Sequence, residues 1–218
     1  MLAAASLTEA FDDTKTRLTA DNPGLALTYS FAGSQQLVSQ VGAGTPADVV
    51  ATADEASMAK LVRAGLVDAP RVFARNKLAI VVPSGNPRGI SGLRDLAGDG
   101  LAVILADPSV PAGRYAGQAL AQAGVIVHPV SLELDVKAVL AKVASGEADA
   151  GIVYATDVAA AGSRVAGIEI TDEENVVARF PAAVVRATPN RDRAQSFVDQ
   201  LVDDAGQAAL RARGFLAP

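Results

Sequence analysis

Three short stretches could hold a ligand without a single charged side chain: Ala5-Ser6, Gly33-Ser34 and Pro111-Ala112-Gly113. Each follows a strand-like segment or turn and opens a stretch with helical character. A helix start leaves backbone N–H groups without intrahelical partners and carries about half a positive charge. Small residues there let an anion approach the backbone, and serine adds a hydroxyl donor. Ligands of open α/β sheets bind outside the carboxyl ends of strands. Several such starts turned to one place would cage a tetrahedral oxyanion with neutral donors. Ordinary caps and tight turns use the same residue types, so spacing alone leaves both readings open.

Signals for catalysis are weak by comparison. Ser57-Met58-Ala59-Lys60 has the S-x-x-K form, but no S-D-N or K-T-G companion accompanies it. There is no G-x-S-x-G, no strand-linked G-x-G-x-x-G and no Walker sequence. The runs Asp172-Glu173-Glu174 and Asp203-Asp204 read as solvated faces, and no carboxylate pair stands out for acid–base work. The chain has no cysteine and only His128 among histidines, which excludes disulfides, thiolate metal sites and an imidazole cluster. His128 reads as a surface or satisfied residue. No enzymatic activity and no cofactor are expected.

A formal net charge of −5 disfavours nucleic acid and anionic membranes as partners, yet leaves a small anion open, because backbone donors need no Lys or Arg. No apolar run is long enough to span a bilayer, so direct membrane insertion is not expected. Met1 to Ser6 lacks the pattern of a secretory signal, so any signal or anchor is expected to lie outside this chain.

The elements that must position these stretches alternate between strand and helix. A capping box at Ser6-Leu7-Thr8-Glu9 predicts a helix up to Asn22-Pro23-Gly24. Leu25–Phe31 alternates like a strand, Gln35–Val41 reads as a helix, and Asp48–Thr52 as a buried strand. A second box, Thr52-Ala53-Asp54-Glu55, opens a helix to Gly65. Strands are then predicted at Leu78–Val82, Leu101–Ala106, Val127–Val130, Ala150–Tyr154, Ala166–Ile170 and Ala182–Arg186. Helices are predicted at Ala112–Gln122, from the Asp135 cap to Ser145, at Val158–Ala161, and over Asp192–Leu201 and Ala205–Arg213. Repeated strand–loop–helix units predict α/β layers with mostly parallel sheets and helices on both faces. Pro83–Pro87 suggests a crossing to a second lobe and Phe180-Pro181 a return, giving lobe I as 1–80 and 184–218 and lobe II as 81–183.

At the same junctions the sequence resembles the periplasmic molybdate-binding proteins of ABC importers. The matching stretches are Ala3-Ala4-Ala5-Ser6-Leu7-Thr8 with Phe11, Phe31-Ala32-Gly33-Ser34, Pro46-Ala47-Asp48-Val49 and Ala53-Asp54. They continue through Asn76-Lys77-Leu78, Asp107-Pro108, Val110-Pro111-Ala112-Gly113, Tyr115-Ala116 and Asp135-Val136. Gly151-Ile152-Val153-Tyr154 with Asp157, Phe180-Pro181-Ala182 and Gly214-Phe215 complete the series. The resemblance covers nearly the whole chain in one order.

That resemblance implies a two-lobed periplasmic-binding-protein type II fold with a hinge between the lobes. It implies that Ser6 and Ser34 offer hydroxyl and backbone donors, Ala112 and Val136 offer backbone N–H groups, and Tyr154 donates its phenol O–H. Molybdate, or tungstate of nearly the same size, would be the ligand, with molybdenum held only as the oxyanion and no bare metal ion bound. The implied setting is periplasmic or extracytoplasmic, or anchored at the cell surface. The implied state is a monomer, and the implied partner a membrane permease. A same-fold binder of sulfate or phosphate is the alternative, and a regulatory ligand-sensing domain a more distant one. Relatives carry a full strand before the Ala-Ala-Ala-Ser stretch, where this chain has Met1-Leu2. A shortened strand there is expected to weaken the first lobe.

Overall fold

A computed structural model describes the backbone of all 218 residues and every side chain except that of Asp21. The chain divides into two compact units, Met1–Arg75 with Arg179–Pro218, and Asn76–Ala178. The crossings fall at Arg75–Asn76 and Ala178–Arg179, where the sequence suggested 80–81 and 183–184. The earlier first crossing follows from Leu78–Pro83, whose whole length pairs with strands of the second unit.

In the first unit, β1 (Leu2–Ala4) leads through a single 3₁₀ turn at Ala5–Leu7 into α1 (Thr8–Asp21). Then come β2 (Ser30–Ala32), α2 (Ser34–Gly42), β3 (Val49–Ala51), α3 (Glu55–Arg63) and β4 (Arg71–Asn76). The second unit runs β5 (Leu78–Pro83), a 3₁₀ turn at Leu93–Ala97, β6 (Val103–Ala106), α4 (Pro111–Gln122), β7 (Ser131–Glu133) and α5 (Val136–Ala144). It ends with β8 (Ala150–Tyr154), α6 (Ala155–Ala161) and β9 (Val165–Glu169). The chain returns through β10 (Ala178–Val184) to α7 (Arg191–Gln200) and α8 (Asp204–Ala212).

Each unit holds one five-stranded mixed sheet, ordered β2-β1-β3-β10-β4 in the first and β7-β6-β8-β5-β9 in the second. β1 is parallel to both β2 and β3, and β6 is parallel to both β7 and β8. The next strand inward is antiparallel in both cases: β10 beside β3, and β5 beside β8. Strands buried on both faces read as continuous apolar runs, which is why Leu78–Pro83 and Ala150–Tyr154 were easy to see in the sequence.

Several local expectations are corrected. The capping box at Ser6 does not form: the first helical turn is 3₁₀, and neither it nor α1 has a side-chain cap. The box at Thr52 is shifted, since α3 is capped by Asp54, whose carboxylate accepts from the Ser57 N–H at 3.1 Å. β2 is Ser30–Ala32 and takes in only the last two residues of the extended-looking Leu25–Phe31, and the strand read at Val127–Val130 lies at Ser131–Glu133. In both cases the paired residues are those facing the neighbouring ladder, Ala4↔Ala32 and Leu105↔Leu132. After the short start at Met1-Leu2, Leu2, Ala3 and Ala4 are all buried in an interior strand, paired with β2 along their length and with β3 at Leu2 and Ala3.

One face of the first sheet packs against α2 and α3 through Leu37, Val41, Val50, Met58 and Leu61. An aromatic cluster of Phe11, Tyr29, Phe73 and Phe197, with ring centroids 5.6–6.5 Å apart, joins α1, β4 and α7. The second unit has an aliphatic core in which Ile80, Ile152, Val139 and Val143 are fully enclosed. Among the described residues no helix is long and apolar enough to cross a membrane.

Candidate anion-binding site

The five residues singled out from the sequence all lie at the carboxyl ends of parallel strands. In the first unit, Ser6 sits in the turn after β1, and Ser34 is the first residue of α2 after β2. β1 and β2 are neighbours ending in register at Ala4↔Ala32, so the two serines follow adjacent strand ends. In the second unit, Ala112 follows β6, Val136 follows β7 and Tyr154 ends β8. These three strands are neighbours in the order β7-β6-β8. Each unit thus gathers its own donors at one sheet edge.

Ser6 is 4% exposed, and its Oγ has no hydrogen-bond partner among the described residues. A buried hydroxyl left unpaired costs about 1–3 kcal/mol, which marks Ser6 as a candidate ligand contact. Ser34 is buried too, and its Oγ accepts from the Ala53 N–H at 3.0 Å. That bond ties the start of α2 to the end of β3 and leaves the Ser34 hydroxyl proton as a donor.

The start of α2 carries no side-chain cap hydrogen bond. The Gln36 and Leu37 N–H groups both bond the Gly33 carbonyl, and the Gln36 side chain turns back to accept from the Gly33 N–H at 3.1 Å. The Ser34 N–H therefore remains outside the helix's own bonding. α4 is likewise uncapped at Val110. Pro111 has no N–H to give, and the Arg114 N–H bonds the Val110 carbonyl. The open donors there are Ala112 and Gly113. Gly113 is required sterically, since a Cβ would sit 2.2 Å from the Asp107 carbonyl oxygen and 2.3 Å from that of Ala106. α4 thus starts in direct contact with the end of its strand.

α5 differs in having a true cap: Asp135 accepts from the Ala138 N–H at 2.9 Å. The cap takes the third helical N–H and leaves that of Val136 outside the bonding of the helix. Tyr154 is 1% exposed. Burial, followed by the nearby Tyr115 and Asp157, pushes its phenol well above the ordinary tyrosine range, while Arg114 opposes this weakly. The phenol is therefore a protonated donor at every physiological pH.

Sequence spacing does not single out the neighbours Asp157, Lys137, Asn76 and Thr156. The Asp157 carboxylate accepts from the Tyr154 N–H at 3.2 Å and meets the Lys137 ammonium at 3.0 Å. Asn76 donates to the Thr156 hydroxyl at 2.8 Å, beneath the same strand end. Asp157 was noted only as part of a matching stretch, and Lys137 not at all, because a lysine one residue into a helix is indistinguishable from a surface lysine.

Two cavities of about 650 Å³ each in the first unit lie elsewhere, at the amino ends of β1 and β3, sharing Met1, Asp48 and Asn190 in their walls. Neither includes Ser6 or Ser34. No group of three or more histidine, cysteine or acidic residues suited to a metal ion occurs among the described residues.

Comparison with known proteins bears on this geometry. The molybdate-binding protein ModA of Mycobacterium tuberculosis is 38% identical over 219 residues, covering 100% of this chain and 84% of that protein. Among solved structures, the chain is similar to the periplasmic molybdate-binding protein of Azotobacter vinelandii, with a TM-score of 0.87 at 20% identity, covering 100% and 98% of the two chains. It is equally similar in shape to the sulfate-binding protein SubI of M. tuberculosis, with a TM-score of 0.88 at 21% identity, covering 99% and 85%. At those identities the two structures establish the two-lobed periplasmic-binding fold and do not separate one oxyanion from another. A family model described as bacterial extracellular solute-binding protein matches residues 1–216, and the chain belongs to that family.

Proposed function

We propose that this protein is the extracytoplasmic solute-binding component of a molybdate importer, that it also takes tungstate, and that it catalyses no reaction. The observation that carries the reading of a ligand site is the Ser6 hydroxyl, buried and unpaired at a strand end beside the uncapped start of α2. The choice of molybdate is supported by 38% identity, along the full chain, to a protein of that specificity.

The donors in this reading are the Ser6 and Ser34 hydroxyls, the N–H groups of Ser34, Ala112 and Val136, and the Tyr154 phenol. All are neutral. A dianion held by neutral donors is stabilised by helix-start dipoles and by N–H groups already aimed before it arrives. Ligand shifts the population towards whichever form binds it best. Such a form is what a membrane permease would recognise. Donors fixed for a larger tetrahedral anion leave gaps around sulfate, whereas tungstate fills the same space.

The test is thermal unfolding with molybdate, tungstate, sulfate and phosphate added separately. Ligand at a hundredfold excess over its Kd adds about 2.7 kcal/mol, and a chain of this size gains roughly 2–4 °C per kcal/mol. A rise of about 5 °C or more with molybdate and tungstate alone is expected. The same rise with sulfate or phosphate would retain the site and reassign its ligand.

A further inference from the structure

An ion pair stands where an anion-binding unit has least apparent use for one. Lys137 is the second residue of α5, directly after Val136, and Asp157 is the third residue of α6, three after Tyr154. Their Nζ and Oδ1 atoms are 3.0 Å apart, and the Asp157 side chain is fully enclosed while that of Lys137 is 24% exposed. The second carboxylate oxygen, Oδ2, accepts from the Tyr154 N–H at 3.2 Å. One carboxylate therefore grips both the helix start that carries Val136 and the strand end that carries Tyr154. Burying a carboxylate is costly unless it is paired; here Oδ1 meets the Lys137 ammonium as an ion pair without hydrogen-bond geometry, and Oδ2 is hydrogen-bonded.

Electrostatics alone argues against this arrangement. Without Asp157, Lys137 would present a full positive charge near the donors of the second unit. With Asp157, a negative charge is placed beside a site for a dianion, and the lysine is neutralised. A unit built for attraction would dispense with Asp157. A unit built for fixed geometry would keep it, because it locks two donor-bearing elements to each other and keeps the mobile ammonium out of the donor set.

We propose that Lys137 and Asp157 form a positioning pair for oxyanion binding, holding the Val136 N–H and the Tyr154 phenol in one fixed relation and leaving recognition to neutral donors. This rests on the molybdate-binding reading. It predicts a sign opposite to that of simple charge: removing the Asp157 charge weakens the binding of a dianion.

The experiment is calorimetric titration of molybdate into the wild type and into Tyr154→Phe, Asp157→Asn, Lys137→Met, Lys137→Arg and the Asp157→Asn/Lys137→Met double variant, at low and high salt. Asp157→Asn is expected to raise Kd about tenfold at both salt levels, and Lys137→Met by a similar factor. The double variant should be no weaker than the worse single one, because both changes break one device. Lys137→Arg should bind within about threefold of wild type, since it restores the pair. Binding in Asp157→Asn equal to or tighter than wild type overturns the proposal, and so do single effects that multiply in the double variant. Should Asp157→Asn fail to fold, Lys137→Met leaves the Tyr154 hydrogen bond in place and salt becomes the criterion: a rise in Kd that persists at high salt supports the pair, and one that vanishes there is simple charge and overturns it. A wild type that does not bind molybdate defeats the functional reading itself. A wild type that binds, with Tyr154→Phe weakened and the pair variants unchanged, defeats the pair alone.

Discussion

The two units share one strand plan and fill it with different chemistry. Each has a strand flanked by two parallel neighbours and then an antiparallel one, β2-β1-β3-β10 against β7-β6-β8-β5. Yet all six phenylalanines lie in the first unit, and the second has no aromatic residue except Tyr115 and Tyr154. The first unit packs with rings and offers serine hydroxyls. The second packs with Val, Ile and Ala around one enclosed tyrosine, Tyr154. A common topology fixes where donors can stand, at the carboxyl ends of the parallel strands. It leaves open which atoms do the donating.

The sharpest way to break this comparison is at Gly113, where α4 touches the end of β6. Gly113→Ala places a methyl group 2.2 Å from a backbone oxygen, and overpacking of this kind costs about 1–3 kcal/mol or more. The helix start has to move, so anion binding is expected to be lost along with much of the stability of the second unit. Four residues on, a Cβ at Gly117 meets nothing within 4 Å. Gly117→Ala should instead stabilise α4 by about 0.5–1 kcal/mol. Urea unfolding and molybdate titration of the two variants check both statements.

Next come the two serines, which the comparison predicts will part company. Ser34→Ala removes the acceptor for the buried Ala53 N–H. It should cost about 1–3 kcal/mol of ligand-free stability as well as at least tenfold in affinity. Ser6→Ala deletes a hydroxyl that has no partner. Its ligand-free Tm should hold or rise while its affinity falls by a similar factor. A Tm loss at Ser6 equal to that at Ser34 would show that the Ser6 hydroxyl serves the fold and not a ligand.

These contrasts also show how far the sequence could be read. Gly33-Ser34 and Pro111-Ala112-Gly113 were legible because a helix start after a strand end requires small residues and leaves open donors. Their positions at N1, N1–N3 and the preceding cap agree with that reading. Ser6 is singled out in the sequence on a partly wrong ground. The capping box it suggested does not form, since the chain tightens into a 3₁₀ turn and the hydroxyl is left unpaired. β4 and the Lys137–Asp157 pair were not legible at all. Arg71–Asn76 has only Val72-Phe73-Ala74 between two arginines, an apolar run too short to stand out, and an ion pair spanning 20 residues depends on a register no local pattern encodes.

A smaller effect separates the two capping aspartates. Asp54 caps α3 in the first unit and Asp135 caps α5 in the second, each accepting from the N–H three residues on. Replacing either by Ala should cost about 1 kcal/mol of stability. Asp135→Ala should in addition weaken molybdate binding several-fold, because Val136 begins the helix it caps. Equal affinities in the two variants would remove α5 from the site.

The smallest expected effect lies in acid, and it too differs between the units. In the first, Asp13 accepts from Arg213 at 2.5 and 2.7 Å, and this hydrogen bonding holds its carboxyl below the ordinary range. In the second, the Lys142 ammonium at 2.6 Å, aided by the Ser131 hydroxyl, does the same for Glu133. A depressed folded pKa contributes stability that is complete above the unfolded value of about 4. That contribution is lost as pH falls through the lower folded value. The Asp13 side chain is 44% exposed and that of Glu133 only 12%, so solvent screens the first pair more. Urea unfolding between about pH 6 and pH 3, which spans the ordinary carboxylate range, should show Glu133→Gln flattening the acid loss by roughly a few tenths of a kcal/mol. Asp13→Asn should flatten it less. If Asp13→Asn has the larger effect, the bidentate geometry of the arginine outweighs burial, and the first unit is the more electrostatically secured of the two.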